Sequence, residues 1–130
     1  MLEPLRPGGS LRYHTAVFDH RTDRRVESPL LTARPPTVLI VDGIFLHRPE
    51  LAAYWRFSVF LEVDRRVSLR RCNERDGQPD APDDPSHPMH RRYVLGQELY
   101  LSSCEPKTRA TMVLDNDDFH RPRVISRRAP

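Results

Sequence analysis

Asp42 closes the run Thr-Val-Leu-Ile-Val-Asp at residues 37–42 and is followed by Gly43. An acid at the tip of an apolar strand can hold Mg²⁺ directly or through water, and the metal then neutralises charge on a transferred phosphoryl group. The plainer reading of Asp42-Gly43 is the start of a turn. A second group, Arg65, Arg66, Arg70, Arg71 and Arg75, lies within "DRRVSLRRCNERD", residues 64–76. Guanidinium forks match phosphate oxygens, and a helix running into a loop can carry them onto a nucleotide as a lid. Helical spacing lets Arg66 and Arg70, with Arg71 beside them, share one face. The plainer reading is a solvated helix face in an arginine-rich chain. A third group, His20 and Arg21 in "FDHRTDR", stands at a strand end with donors suited to sugar hydroxyls.

Positioning these groups falls to a short series of elements. Residues 1–11 are turn-rich, with Pro4, Pro7 and Gly8-Gly9. Residues 12–20, "RYHTAVFDH", alternate as a strand with Tyr13, Thr15 and Val17 on one face. A polar turn at 21–29 leads into a short second strand, and "LLTARPPT" is a proline-broken connector. Residues 37–42 are β-branched and apolar on both faces, the pattern of a central parallel strand. "RPELAAYW" predicts a short helix with Pro49 in its first turn and Glu50 near the positive helix end.

"FSVFLEV", residues 57–63, predicts a second buried strand, and Asp64 an N-cap for the arginine helix. Residues 77–88, "GQPDAPDDPSHP", predict a mobile surface loop. "HRRYVLGQELYLSSC" predicts a helix with Tyr93, Val94, Gln97, Leu99 and Tyr100 over successive turns, and "ATMVLDND" a third buried strand. Apolar strands alternating with helices describe a parallel α/β sheet, whose ligands gather at the carboxyl ends of the strands. Asp42 stands at such an end.

Composition narrows the classes. The chain has 130 residues, 38% hydrophobic and 30% charged, which suits one soluble domain spanning 1–130. Asp42 interrupts the best apolar run well short of a membrane span, and "MLEPLRPGGS" lacks the order of a signal peptide, so a cytoplasmic protein is expected. Cys72 and Cys104 read as reduced thiols, and Pro88 between His87 and His90 argues against a helical metal face. The formal charge of +3 comes from an arginine bias, with Lys107 the single lysine. Acids are interleaved with the arginines, which argues against a nucleic-acid stripe. The basic tail at 119–130, "RPRVISRR" within it, reads as a solvated end.

"YHTAVFDHRTD", "VLIVDGIFLHRPELAAYW", "FSVFLEVDRRVSLRRCNERD" and "RRYVLGQELYLSSCEPKTRATMVLDNDD" together resemble the later part of uridine kinase-like proteins, in the P-loop kinase group that includes phosphoribulokinase. The resemblance implies a partial P-loop NTPase-type three-layer sandwich with a mostly parallel sheet. It implies transfer of the ATP γ-phosphate to the 5′-hydroxyl of uridine or cytidine, with ATP and Mg²⁺ as cofactors. On that resemblance Asp42 is the metal-side acid, His20 and Arg21 contact the nucleoside, and Arg70, Arg71 and Arg75 are lid arginines beside the 77–90 loop. Lys107 and Arg109 match a basic pair without an assigned role.

The phosphate cradle G-x-x-x-x-G-K-[ST] occurs nowhere in the chain, whose glycines stand at 8, 9, 43, 77 and 96. The resemblance therefore implies a C-terminal portion missing the first strand and P-loop, with no turnover of its own. That first strand would lie inside the sheet and cover the apolar strands. The alternative is a non-catalytic remnant of the fold that binds a nucleoside or a protein. Neither reading fixes an oligomeric state.

Overall fold

A computed structural model describes residues 2–6, 8–19, 21–34 and 36–128. The chain divides into two compact units, Met1–Asp42 and Gly43–Pro130. The architecture is mixed α/β, and the described residues form two two-stranded sheets and one three-stranded sheet.

The first unit is built on antiparallel ribbons. After a 3₁₀ turn at Glu3–Leu5 come β1 (Arg12–His14), β2 (Phe18–Asp19), β3 (Arg24–Arg25) and β4 (Leu30–Thr32). β1 pairs with β4, Tyr13 opposite Leu31, and β2 pairs with β3, Phe18 opposite Arg25. The single strand expected over 12–20 is thus broken, and Ser28 occupies the break. Its Oγ accepts from the Ala16 amide at 3.2 Å and donates to the Ala16 carbonyl at 2.8 Å, replacing two ladder bonds. The leucines of the expected connector instead form β4, because Leu30–Thr32 finds β1 as a partner.

Residues 37–42 form no strand, which corrects the clearest sequence expectation. Val38 is 85% exposed and Ile40 88%, so neither face of the run is covered. A strand exists only when its amides and carbonyls meet a neighbour, and no described strand pairs with this one. Propensity alone does not supply the partner.

The second unit opens on α1 (Pro49–Ala52), a single turn with proline at its start. β5 (Val59–Glu62) then leads through Asp64 into α2 (Arg65–Arg75). A 3₁₀ turn at Pro88–His90 precedes α3 (Arg91–Cys104), and α4 (Pro106–Arg109) precedes β6 (Met112–Asp115) and β7 (Arg123–Arg127). The sheet order is β5-β6-β7, parallel between β5 and β6 and antiparallel between β6 and β7. Among the described residues one strand pair is parallel, where a mostly parallel sheet was expected. The expected solvated tail is strand β7, held because its backbone extends the β6 ladder although all five side chains are exposed.

The buried apolar side chains of the second unit come from β6, α3 and the α4 segment. Val113 is 3% exposed, and Ala110, Pro106, Tyr100 and Cys104 are buried with it. Val94, Gln97, Tyr100 and Cys104 form the inner line of α3 at helical spacing. Tyr93 and Leu99, expected on that line, are 65% and 69% exposed, since their positions fall off the buried stripe. β5 is less covered than a buried parallel strand, with Val59 and Leu61 exposed. The irregular segment after α2 is tethered: Asn73 Nδ2 donates to the Ala81 and Pro82 carbonyls at 3.1 and 3.2 Å. No described helix is long and apolar enough to cross a membrane.

Candidate functional site

The carboxyl ends of β5 and β6 lie side by side, with Glu62 opposite Asp115 in the parallel register. Chain direction then brings Asp64 next to Asn116 and Asp117. The Asp64 amide donates to Asp117 Oδ1 at 2.6 Å, and the Asn116 amide to the Glu62 carbonyl at 2.8 Å. Asp64 also caps α2: its carboxylate accepts from the Arg66 amide at 2.8 Å and from Val67 at 3.4 Å. An acid at this position satisfies orphan amides and meets the positive end of the helix.

Asp115 is held by both neighbours. The Asp117 amide donates to its Oδ1 at 3.1 Å, and Arg123 of β7 pairs with Oδ2 at 2.5 Å. The amide first, and then the guanidinium, hold the Asp115 carboxyl below the usual carboxylate range. Lys107 pairs with Glu62. The strand-end acids are therefore largely engaged with neighbouring residues.

The arginines of α2 separate by their partners. Arg71 donates to the Asn116 carbonyl at 2.9 Å and to the Asp117 carbonyl at 2.5 Å, and its guanidinium lies 5.3 Å from the centre of the Phe119 ring. Those bonds and the ring contact clamp the turn after β6. Arg75 is engaged by its neighbour Asp76 through two exposed hydrogen bonds, and Arg65 pairs with Glu98 of α3 at 2.6 Å. Arg66 and Arg70 are exposed, one turn apart, and carry no ion pair among the described residues. They are the two α2 guanidiniums presented to an anion in water.

The remaining expected residues belong to the first unit. Asp42 is exposed at its end. No group of three or more His, Cys, Asp or Glu able to hold a metal occurs among the described residues. Among the described residues Asp42 is therefore not part of a cluster of three or more such side chains. Arg21 sits in the turn between β2 and β3, where its amide donates to Asp19 Oδ1 at 2.8 Å and Thr22 Oγ1 donates to Oδ2 at 3.0 Å. Asp19 thereby locks the turn that presents the Arg21 side chain. His20 lies outside the described residues.

Asp117, Asp115, Glu62 and Lys107 form part of the strand-end junction but carried no role in the sequence reading. The acid-rich "DNDD" at 115–118 after an apolar run was the available signal. Its partners are set by the β5–β6 register, which residue spacing does not give. Compared with protein-family models, with curated proteins and with solved structures, the chain has no significant match.

Proposed function

We propose that the chain is a uridine kinase-like polypeptide of the P-loop type that carries the acceptor and lid side of a nucleoside kinase. In the complete activity the nucleoside 5′-oxygen attacks the γ-phosphorus of ATP, the bond to ADP breaks, and the hydroxyl proton passes to a base. Mg²⁺ would neutralise phosphate charge when bound with ATP. The observation that carries the reading is the parallel β5–β6 pair with α2 leaving its strand tip. That helix is capped by Asp64 and presents Arg66 and Arg70 outward.

Within this reading the residues divide by task. Arg21, on its aspartate-locked turn, and His20 contact the nucleoside. Arg66 and Arg70 meet phosphate oxygens, Arg71 fixes the turn beside them, and Arg75 borders the lid-side loop. Asp42 is the acid on the metal side. The sequence contains no phosphate cradle with its lysine, and amide donation to the phosphates is then missing from the transition state. The chain by itself therefore binds nucleoside without phosphorylating it.

Isothermal titration of the full chain with uridine, followed by incubation with ATP and Mg²⁺, tests this. Saturable heat with uridine and no uridine monophosphate is the expected result. The absence of a saturable signal overturns the reading.

A second reading rests on one observation, the exposed apolar run Val38–Val41. Contiguous apolar surface of this kind marks protein contacts, and it favours the non-catalytic, protein-binding form of the remnant.

A further inference from the structure

Among the described residues, His47 is the buried polar side chain left with an unpartnered atom. It is 8% exposed, in the turn before α1, and packs against Tyr100 at the middle of α3. Its amide donates to Tyr100 Oη at 3.0 Å, and the same hydroxyl lies 3.4 Å from the ring Nδ1. Phe45 meets the Tyr100 ring edge-on, with centroids 5.2 Å apart. On the far side of the imidazole, Nε2 is buried with no hydrogen-bond partner among the described residues.

Either neutral tautomer leaves one nitrogen unpaired. If Nδ1 accepts the Tyr100 proton, Nε2–H is an orphan donor; if Nδ1–H donates to Oη, the Nε2 lone pair is orphaned. A second ring proton makes matters worse. It adds a buried charge, keeps an unpaired N–H and obliges Tyr100 Oη to find another acceptor. The groups around the contact offer no compensation: the Tyr100 phenol at the ring, the Cys104 thiol acting on that phenol, and the Arg109 guanidinium of α4 acting on the imidazole.

We propose that the His47–Tyr100 contact is an acid-released latch that holds the segment Phe45–Ala52 against α3 at neutral pH and frees it when the imidazole takes up a proton. Burial, and then the charge of Arg109, hold the closed-state imidazole below the usual histidine range, in the sense the geometry requires. Opening the latch hydrates Nε2 and restores the ordinary value of about 6.5. The closed form binds fewer protons, so it is favoured above that pH and loses ground as pH falls below it.

The chain carries a reporter next to the latch. Its single tryptophan, Trp55, donates from Nε1 to the Leu46 carbonyl at 2.6 Å, one residue from His47. Release of the turn breaks that bond and exposes the indole to water.

The test follows Trp55 emission and exchange of the His47 amide in the full chain from pH 8 to pH 5. Parallel curves for His47→Gln are recorded, together with the ring-proton shift of His47 by NMR. The expected result is a red shift of Trp55 with an opening constant rising by up to about tenfold per pH unit below 6.5. The curve is flat in His47→Gln. A Trp55 transition unchanged in His47→Gln overturns the latch, as does a titrating His47 ring with flat Trp55 emission. If His47→Gln fails to fold, the native chain decides: coincident His47 and Trp55 midpoints support the latch, and separate midpoints overturn it.

Discussion

Arg71 of α2 donates to the main-chain carbonyl of Asn116, 2.9 Å away, just beyond the end of β6. A side chain whose type suggests phosphate binding is thus a brace between a helix and a strand end. Together with the bond to the Asp117 carbonyl and the Phe119 contact, it fixes the turn on which the strand-end acids stand.

This relationship separates two neighbouring arginines. Arg71→Ala is expected to lower the unfolding free energy by about 2 kcal/mol, because two charge-assisted bonds to carbonyls are lost. Arg70→Ala, at an exposed position, is expected to stay within about 0.5 kcal/mol of the parent. Urea unfolding of both variants measures the difference. Equal losses would remove the brace from the account.

Asp64 carries the start of α2. Asp64→Ala removes the acceptor for the Arg66 and Val67 amides and is expected to cost about 1 kcal/mol, while Asp64→Asn keeps most of it. Thermal unfolding with helix-sensitive circular dichroism reads both variants. An alanine variant as stable as the asparagine variant would contradict the capping role.

Asp115 makes the acid limb of stability specific. Its carboxyl lies below the usual range in the folded chain, so its contribution is present above about pH 4 and is lost as pH falls through the folded-state value. Between pH 6 and pH 2.5 the urea midpoint of the parent is expected to fall more steeply than that of Asp115→Asn. Parallel curves would show that the Asp117 amide and Arg123 do not favour the ionised form.

The β5–α2 junction was legible in the residues alone. Asp64 reads as a cap, "FSVFLEV" as a strand and "ATMVLDND" as another, and all appear with edges shifted by a few residues. Residues 37–42 had the stronger strand pattern and formed none. Local sequence encodes the wish to be buried and extended, whereas the neighbour that satisfies it lies elsewhere along a chain or on another one. The arginines show the same limit at the site. Spacing placed Arg70 and Arg71 side by side, but the β5–β6 register decides that Arg71 reaches Asn116 and Arg70 reaches solvent. His47 gave no signal, since its environment is made by Tyr100, fifty-three positions away.

The exposed run offers its own check. Val38→Lys combined with Ile40→Lys leaves the fold within about 0.5 kcal/mol, because neither side chain is buried. It is expected to lessen self-association in sedimentation velocity at high protein concentration. A stability loss well beyond that value would mean these side chains pack against the protein in solution.

The nucleoside claim is tested most directly by amide NMR of the full chain titrated with uridine, with ribose-free uracil as the control. The account predicts saturable shifts centred on the β2–β3 turn, at Arg21 and Thr22, with smaller changes for uracil, because the donors there are suited to the sugar hydroxyls. Amides of that turn that stay unmoved by uridine, or move equally with uracil, would contradict it.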